Sequence, residues 1–169
     1  MADVRKLKPF ILKWEGGFVN DPADLGGATN RGVTIGTYKE YRKKKGLPEP
    51  TVEDLKKLSD NEWTDILKTY YWDRWIVDQI QNQSIVNILV DWVWVLGVHG
   101  IKIPQDILEV SADGIVGKNT IAYQPQTELF GRIKQARYNF IDRICEKRTA
   151  NNKFRNGWRN RIKDFKFEE

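Results

Sequence analysis

The chain has 169 residues, of which 30% are charged and 12% aromatic, with one cysteine and a formal net charge of +5. This length fits one ordinary domain, or a compact body with a small subdomain, and can bury a core without disulfides. The lone Cys145 excludes an intrachain disulfide, and we expect a reduced, buried thiol because the residue lies in an apolar-periodic helix.

The positive charge is concentrated near the C-terminus. Residues 128–169 contain 12 Lys/Arg against 6 Asp/Glu, whereas residues 1–127 contain 16 against 17. Such a surface would attract a polyanion, whether nucleic acid, an anionic membrane or an acidic cell-wall polymer. A solvated helix face explains the same charges equally well.

Two features of the sequence bear on location. The N-terminal residues carry charges but no seven-residue apolar run, so they do not resemble a secretory signal peptide. The longest apolar stretch, residues 85–98, is interrupted by Asn87 and Asp91, and this favours a core helix over a membrane span. We expect a soluble monomer that is cytoplasmic as synthesised.

The first predicted element is a helix of about three turns, because residues 7–14 place apolar side chains at helical spacing. Gly16 and Gly17 end this helix, so Glu15 should lie at its C-terminus. Residues 18–33 are rich in Gly, Asn and Asp, which indicates a loop or an irregular hairpin.

Three helix starts follow. Thr34 can cap a helix from about 35 to 45, and residues 51–54 and 59–62 both match the capping-box pattern. Each of these starts precedes apolar residues, so three short helices are predicted.

The second half of the chain also has helical patterns. Residues 85–96 are apolar around most of a helix, which predicts the core helix. Residues 101–108 lead to a turn at 113–120 that enters a short helix, and a long helix of about 128–147 and a last one at 158–165 follow. Since no sustained period-two alternation occurs, the fold should be mainly α.

Glu15 and Asp24 can supply the chemistry of glycosidic bond hydrolysis. This reaction needs a protonated acid beside the leaving oxygen and a second carboxylate or polarised water across the sugar. A glutamate near the negative end of a helix dipole suits the acid, and Asp24 lies in a polar, Gly-rich loop. Asp21 is a rival to Asp24, although an Asp before a proline more often forms a turn.

Four short stretches, EGGF at 15–18, NDPAD at 20–24, GGATN at 26–30 and GVT at 32–34, resemble the signature of glycoside hydrolase family 108. These proteins are N-acetylmuramidases of bacteria and phages. The resemblance implies a lysozyme-like helical domain with a small irregular or hairpin region after the first helix, and Glu15 as the catalytic acid. The family's usual EGGY is EGGF here, which removes at most one hydroxyl.

The resemblance extends over nearly the whole chain. The segment around Trp72, the helix around Asp91 and the turn at 113–117 resemble the C-terminal peptidoglycan-binding region that accompanies this catalytic domain. It implies a catalytic region at 1–97 and a peptidoglycan-binding region at 98–169. Val95 occupies a position where the family often has Asn, so any role of that Asn is lost.

The spacing also resembles that of phage lysozymes, in which eight residues separate the catalytic Glu from an Asp and a Thr follows. Glu15 and Asp24 have this separation. Thr29 lies one residue early and Thr34 too late, and Thr34 is equally explained as a helix cap. The substrate-binding candidates are polar loop residues and one tryptophan: Asn20, Asp21, Thr29, Thr34 and Trp72.

Other residues have structural explanations. An Asp inside an apolar helix must be hydrogen-bonded, so we favour a structural role for Asp91. Most of the aromatic cluster of residues 63–94 should be core. His99, the only histidine, is expected in a loop, and we predict neither a metal nor a cofactor.

The sequence thus predicts a peptidoglycan hydrolase that cleaves the β-1,4 bond between N-acetylmuramic acid and N-acetylglucosamine. Glu15 would donate the proton, and the basic C-terminal region would hold the anionic wall. The alternative is a non-catalytic peptidoglycan-binding or secretion-accessory protein. A nucleic-acid-binding domain has only the charge excess in its favour and is not predicted.

Overall fold

A computed structural model describes residues 2–117 and 126–169, apart from the side chain of Asp78. The chain packs as two compact units. The N-terminal unit is Val4–Tyr70, and the C-terminal unit is Met1–Asp3 with Tyr71–Glu169. The boundary predicted between residues 97 and 98, which separates a catalytic region from a peptidoglycan-binding region, stays a prediction.

The N-terminal unit contains four helices and three two-residue strands in the order α1 Val4–Trp14, β1 Phe18–Val19, β2 Thr29–Asn30, β3 Val33–Thr34, α2 Ile35–Lys44, α3 Val52–Lys56 and α4 Asp60–Leu67. Helix α1 buries Leu7 and Ile11, and the Glu15 amide still donates to the Ile11 carbonyl at 3.0 Å. The first helix and the position of Glu15 at its C-terminal end are therefore confirmed.

The predicted loop or hairpin after α1 is a small antiparallel sheet in the order β1-β2-β3. Strands β2 and β3 pair Asn30 with Val33 across the two-residue turn Arg31–Gly32. Both turn residues have positive φ, 49° for Arg31 and 81° for Gly32, as a type I′ hairpin turn requires. This turn follows the right-handed strand twist and so permits a hairpin of minimal length.

Helices α3 and α4 start where predicted, α3 with a full capping box and α4 with a side-chain N-cap from Ser59. The Asp54 amide donates to Thr51 Oγ1 at 3.2 Å, and the Thr51 amide donates to Asp54 Oδ2 at 2.8 Å. Ser59 Oγ accepts from the Glu62 amide at 3.1 Å in the same way. These bonds satisfy backbone donors that the first helical turn leaves open.

The C-terminal unit holds the other described α-helices: α5 Gln83–Leu96, α6 His99–Ile107, α7 Gln126–Lys147 and α8 Asn152–Lys163. This unit also contains 3₁₀ turns at Asp73–Trp75, Val77–Gln79 and Thr149–Asn151. A single π-helical turn, Lys68–Trp72, spans the boundary between the two units in the sequence. Helix α5 packs against α6 and α7, and α7 packs against α8. Helix α5 is buried over most of its surface and is the core helix, as predicted.

Helix α6 was not predicted. Its sequence contains Gly100 and Pro104, which disfavour a helix interior. Gly100 is required by packing, since a Cβ there would lie 2.5 Å from the backbone of Trp92 in α5. The close approach of the two helices thus overrides the local preference. The expectation of a loop around His99 is wrong, because this residue begins α6.

Asp91 ties three helices of this unit together. Its side chain is 0% exposed, and its carboxylate accepts from Arg137 Nη2 on α7 at 2.8 Å and from Arg161 Nη2 on α8 at 2.6 Å. Arg137 also donates to the Ile88 carbonyl of α5 at 3.2 Å. The structural role favoured for Asp91 is confirmed.

The remaining fold expectations can be checked only in the described part of the chain. Cys145 is buried and unpaired, as expected. In the described ranges, no helix has both the length and the apolar character to cross a bilayer, and no three His, Cys, Asp or Glu side chains cluster as metal ligands. The short helix expected near residue 120 lies outside the described residues.

Candidate active site

Glu15 is held at the junction between α1 and the sheet. Its side chain is half-buried, and its backbone extends the hydrogen bonding of α1 by one residue. A Cβ at Gly16 or Gly17 would meet no atom within 4 Å, so packing does not require either glycine. Glu15 therefore follows the partially negative end of the α1 dipole and precedes β1 by three residues.

Asp21 and Asp24 shape the exposed loop between β1 and β2. Asp21 Oδ1 accepts from the Ala23 amide at 2.9 Å, and Asp24 Oδ1 accepts from the Gly26 amide at 2.8 Å. The Asp24 amide in turn donates to the Asp21 carbonyl at 3.0 Å. The turn-forming role expected for Asp21 is confirmed, and Asp24 has one of its own. Both side chains are exposed.

The sheet brings Thr29 and Thr34 together. Thr29 pairs with Thr34 in one direction and with Val19 in the other, and side chains that pair directly share one face of a sheet. Thr34 Oγ1 also accepts from the Thr37 amide at 3.1 Å, so its predicted role as the N-cap of α2 is confirmed. Asn20 is exposed and directly follows β1.

The opposite row of the sheet, which contains Asn30 and Val33, faces inward. Asn30 Nδ2 donates to the carbonyls of Leu55 at 2.9 Å and Lys56 at 3.2 Å, so it fixes the sheet to α3. The sequence indicated no role for Asn30, because a two-residue strand is too short for a pattern to show which face a side chain occupies.

Arg31 secures the hairpin turn to α4. Its Nη2 donates to the Leu58 carbonyl at 2.6 Å, and its carbonyl accepts from Trp63 Nε1 at 3.0 Å. Asp60 pairs with Arg31 and with Lys8 of α1, and the hydrogen bond from Lys8 lowers the pKa of Asp60. These contacts hold the left-handed Arg31 backbone in place and keep the sheet in one position against the helices.

Trp72 belongs to the C-terminal unit, and its ring is only 5% exposed. The neighbouring tryptophans Trp63, Trp75 and Trp92 are buried too, which agrees with the expectation that most of this cluster is core. Stacking of a sugar on Trp72 stays a prediction and would require exposure of its ring.

A helix ending in a glutamate and leading into a small antiparallel sheet, within a mainly helical chain, gives the fold expected of a lysozyme-like protein. Residues 8–97 match the sequence model of glycosyl hydrolase 108. Because this match covers more than half of the 169 residues, the chain belongs to glycoside hydrolase family 108. Residues 99–163 match a predicted peptidoglycan domain.

The solved structure titled "Structure of Brucella abortus SagA" has the same fold. The two chains are 23% identical and superpose with a TM-score of 0.73, over 96% of this chain and 94% of the other. A search of curated protein sequences found no match. The family thus rests on the match of residues 8–97, and the structural similarity supports the fold.

Proposed function

We propose that the protein is a peptidoglycan N-acetylmuramidase, which hydrolyses the β-1,4 bond between N-acetylmuramic acid and N-acetylglucosamine with Glu15 as the general acid. The observation that carries the proposal is the position of Glu15. It directly follows α1 and precedes Gly16, Gly17 and the small sheet, inside the region that matches the glycosyl hydrolase model. The match of residues 99–163 supports peptidoglycan as the polymer.

In this proposal Glu15 transfers its proton to the glycosidic oxygen as the bond to the anomeric carbon breaks. The leaving sugar departs as an alcohol, and positive charge develops on the remaining ring. A positioned acid of this kind contributes roughly 10²–10⁴-fold to a rate. Water completes the hydrolysis and returns a proton to the carboxylate.

Asp24 is proposed as the second carboxylate. It stabilises the oxocarbenium-like transition state, attacks it, or orients the attacking water together with Thr29. Its hydrogen bond to the Gly26 amide gives the side chain a defined position in an otherwise exposed loop. Asn20, Asp21 and Thr34 are proposed to contact the substrate, since they lie on the same loop and sheet.

A role as an endolysin of a phage or prophage is proposed as the biological setting, because the proposed reaction degrades the cell wall. The second candidate function is non-catalytic binding of peptidoglycan. It is favoured by one observation, the match of residues 99–163 to a predicted peptidoglycan domain, which requires no turnover.

The test is release of muropeptides from purified peptidoglycan, with the new reducing end identified by mass spectrometry after reduction. We expect muramic-acid reducing ends from the wild type and none above background from Glu15→Gln. Glu40→Gln is the matched control, because Glu40 is an exposed glutamate on α2 that pairs with Lys44. Absence of release by the wild type, with sedimentation on the wall intact, would favour the binding protein.

A further inference from the structure

Two aromatic side chains of α8 lie on the surface of the C-terminal unit. Phe154 is 47% and Trp158 37% exposed, and their stacked rings have centroids 5.4 Å apart with 30° between the ring planes. Within residues 2–117 and 126–169, every other Phe, Trp and Tyr side chain is buried or half-buried. An exposed aromatic pair is a common feature of binding surfaces.

Other residues attach α8 to its unit. Ile162 is buried with Ile141 and Cys145 of α7, and Arg161 pairs with the buried Asp91. These contacts lie in the last turns of α8. Because the helix is anchored there, the exposure of the two rings is not required by the packing of the core.

Gly157 leaves space beside the rings. It lies three residues after Phe154 and so next to it on the helix surface, and a Cβ at this position would meet no atom within 4 Å. Glycine is unfavourable inside a helix. Its presence here leaves this position beside Phe154 without a side chain.

Positive charge surrounds the pair. Helix α8 contains five Lys or Arg and no Asp or Glu. Lys153 Nζ lies 4.8 Å from the centroid of the Phe154 ring, and Arg155, although bonded to Asp142 at 2.7 Å, stays exposed. The surface therefore combines two exposed aromatic rings, stacked on each other, with a basic rim, which complements a partner that has apolar faces and negative charge.

We propose that Phe154 and Trp158 form a platform on which sugar rings of peptidoglycan stack, while Lys153 and Arg155 contact its carboxylates. This inference rests on the proposed function, because it takes peptidoglycan as the polymer bound. The C–H faces of a pyranose ring are apolar, and the peptide stems of the polymer carry carboxylates. Helix α8 lies within residues 99–163, which match the predicted peptidoglycan domain.

The composition of α8 disfavours an anionic membrane as the partner. A helix that lies in a membrane interface presents a wide, continuous apolar face. Here the exposed apolar side chains of the helix are Phe154 and Trp158, and its other exposed positions are charged, asparagine or glycine. Two rings with a basic rim fit a sugar chain better than an acyl layer.

The test is co-sedimentation of the full chain with purified peptidoglycan sacculi, in a Glu15→Gln background that keeps the polymer intact. We expect the double variant Phe154→Ala, Trp158→Ala to bind about tenfold more weakly. Gly157→Gln retains both rings but covers their open side, and should weaken binding severalfold. Asn156→Gln is the matched control on the opposite side of α8 and should change binding by less than about twofold.

Three outcomes are decisive. Equal sedimentation of the double variant and its parent, with both folded by circular dichroism, would overturn the proposal. If the double variant loses binding to phosphatidylglycerol vesicles but binds sacculi as well as its parent does, the proposal is overturned in favour of a membrane partner. If the wild-type chain releases no muropeptides but the double variant binds sacculi more weakly, the hydrolase function fails and the platform stands.

Discussion

Two carboxylate sites, one in each unit, show how surroundings decide what a carboxylate can do. Asp91 in the C-terminal unit has no exposed surface, and two guanidinium groups occupy both of its oxygens. Asp24 in the N-terminal unit is exposed and uses Oδ1 to shape its own loop. A buried, fully paired carboxylate stabilises the fold, whereas an exposed one is accessible to substrate and water.

Glu15 lies between these extremes. It is half-buried, and its amide bonds to the Ile11 carbonyl of α1. The proposed general acid is thus less exposed than Asp24 but not enclosed like Asp91. We therefore expect substitution of Asp91 to lower the free energy of unfolding, and substitution of Glu15 or Asp24 to lower the activity on peptidoglycan.

The largest expected effect on stability is at Asp91. Asp91→Asn removes the negative charge between Arg137 and Arg161, and loss of one partner of a buried ion pair costs about 3–5 kcal/mol. Urea unfolding measures this change. Asp106→Asn, an exposed Asp in the same unit, is the control and should stay within about 0.5 kcal/mol of the wild type. A loss below about 1 kcal/mol at Asp91 would contradict the structural assignment.

The next effect separates Asp24 from Asp21. Asn can keep the turn that each side chain forms, because its amide oxygen accepts the same backbone hydrogen bond. Only the charge is lost. We expect Asp24→Asn to reduce kcat on peptidoglycan about 100-fold, and Asp21→Asn to reduce it less than about fivefold. The reverse order would make Asp21 the second carboxylate, and equal small losses would exclude both.

A smaller effect is expected from the inner row of the sheet. Asn30→Ala leaves the carbonyls of Leu55 and Lys56 without their side-chain donor, which costs about 1–3 kcal/mol. Thermal unfolding with calorimetric enthalpy gives the change. Asn20→Ala, at an exposed position just outside β1, is the control. If both variants unfold at the same temperature as the wild type, Asn30 does not anchor the sheet.

The smallest effect concerns acid. A hydrogen bond from Lys45 lowers the pKa of Asp65 in the folded state, so this pair stabilises the protein above the ordinary Asp pKa and is lost as pH falls through the lowered value. Since both side chains are partly exposed, Lys45→Gln should cost less than about 1 kcal/mol near pH 7. The difference from the wild type should vanish once the pH lies below the lowered pKa of Asp65. An undiminished difference there would exclude this ion pair as its cause.

Much of the fold was predictable because its signals are local. The capping box at Thr51 and the N-cap at Ser59 depend on residues three apart. Asp91 is a polar residue inside an apolar helix, which itself signals a hydrogen-bonded, structural side chain. Helix α6 was missed because Gly100 disfavours a helix locally and is required only by the backbone of Trp92. That contact is made across two helices and has no signature within α6 itself.

The candidate site was predictable in part for the same reason. The end of α1 at Glu15 and the cap at Thr34 follow from neighbouring residues. Two other features depend on the register of two-residue strands: Thr29 pairs with Thr34, and Asn30 fixes the sheet to α3. Strands this short show no alternation that a sequence pattern can detect.

The most direct test of Glu15 as the acid compares two leaving groups. A dinitrophenyl glycoside of the disaccharide N-acetylglucosaminyl-N-acetylmuramic acid has a leaving group that departs without protonation, whereas the sugar leaving group of peptidoglycan requires it. We predict that Glu15→Gln lowers kcat on peptidoglycan about 10³-fold and on the dinitrophenyl glycoside far less. Equal losses on both substrates would contradict the role of Glu15 as proton donor.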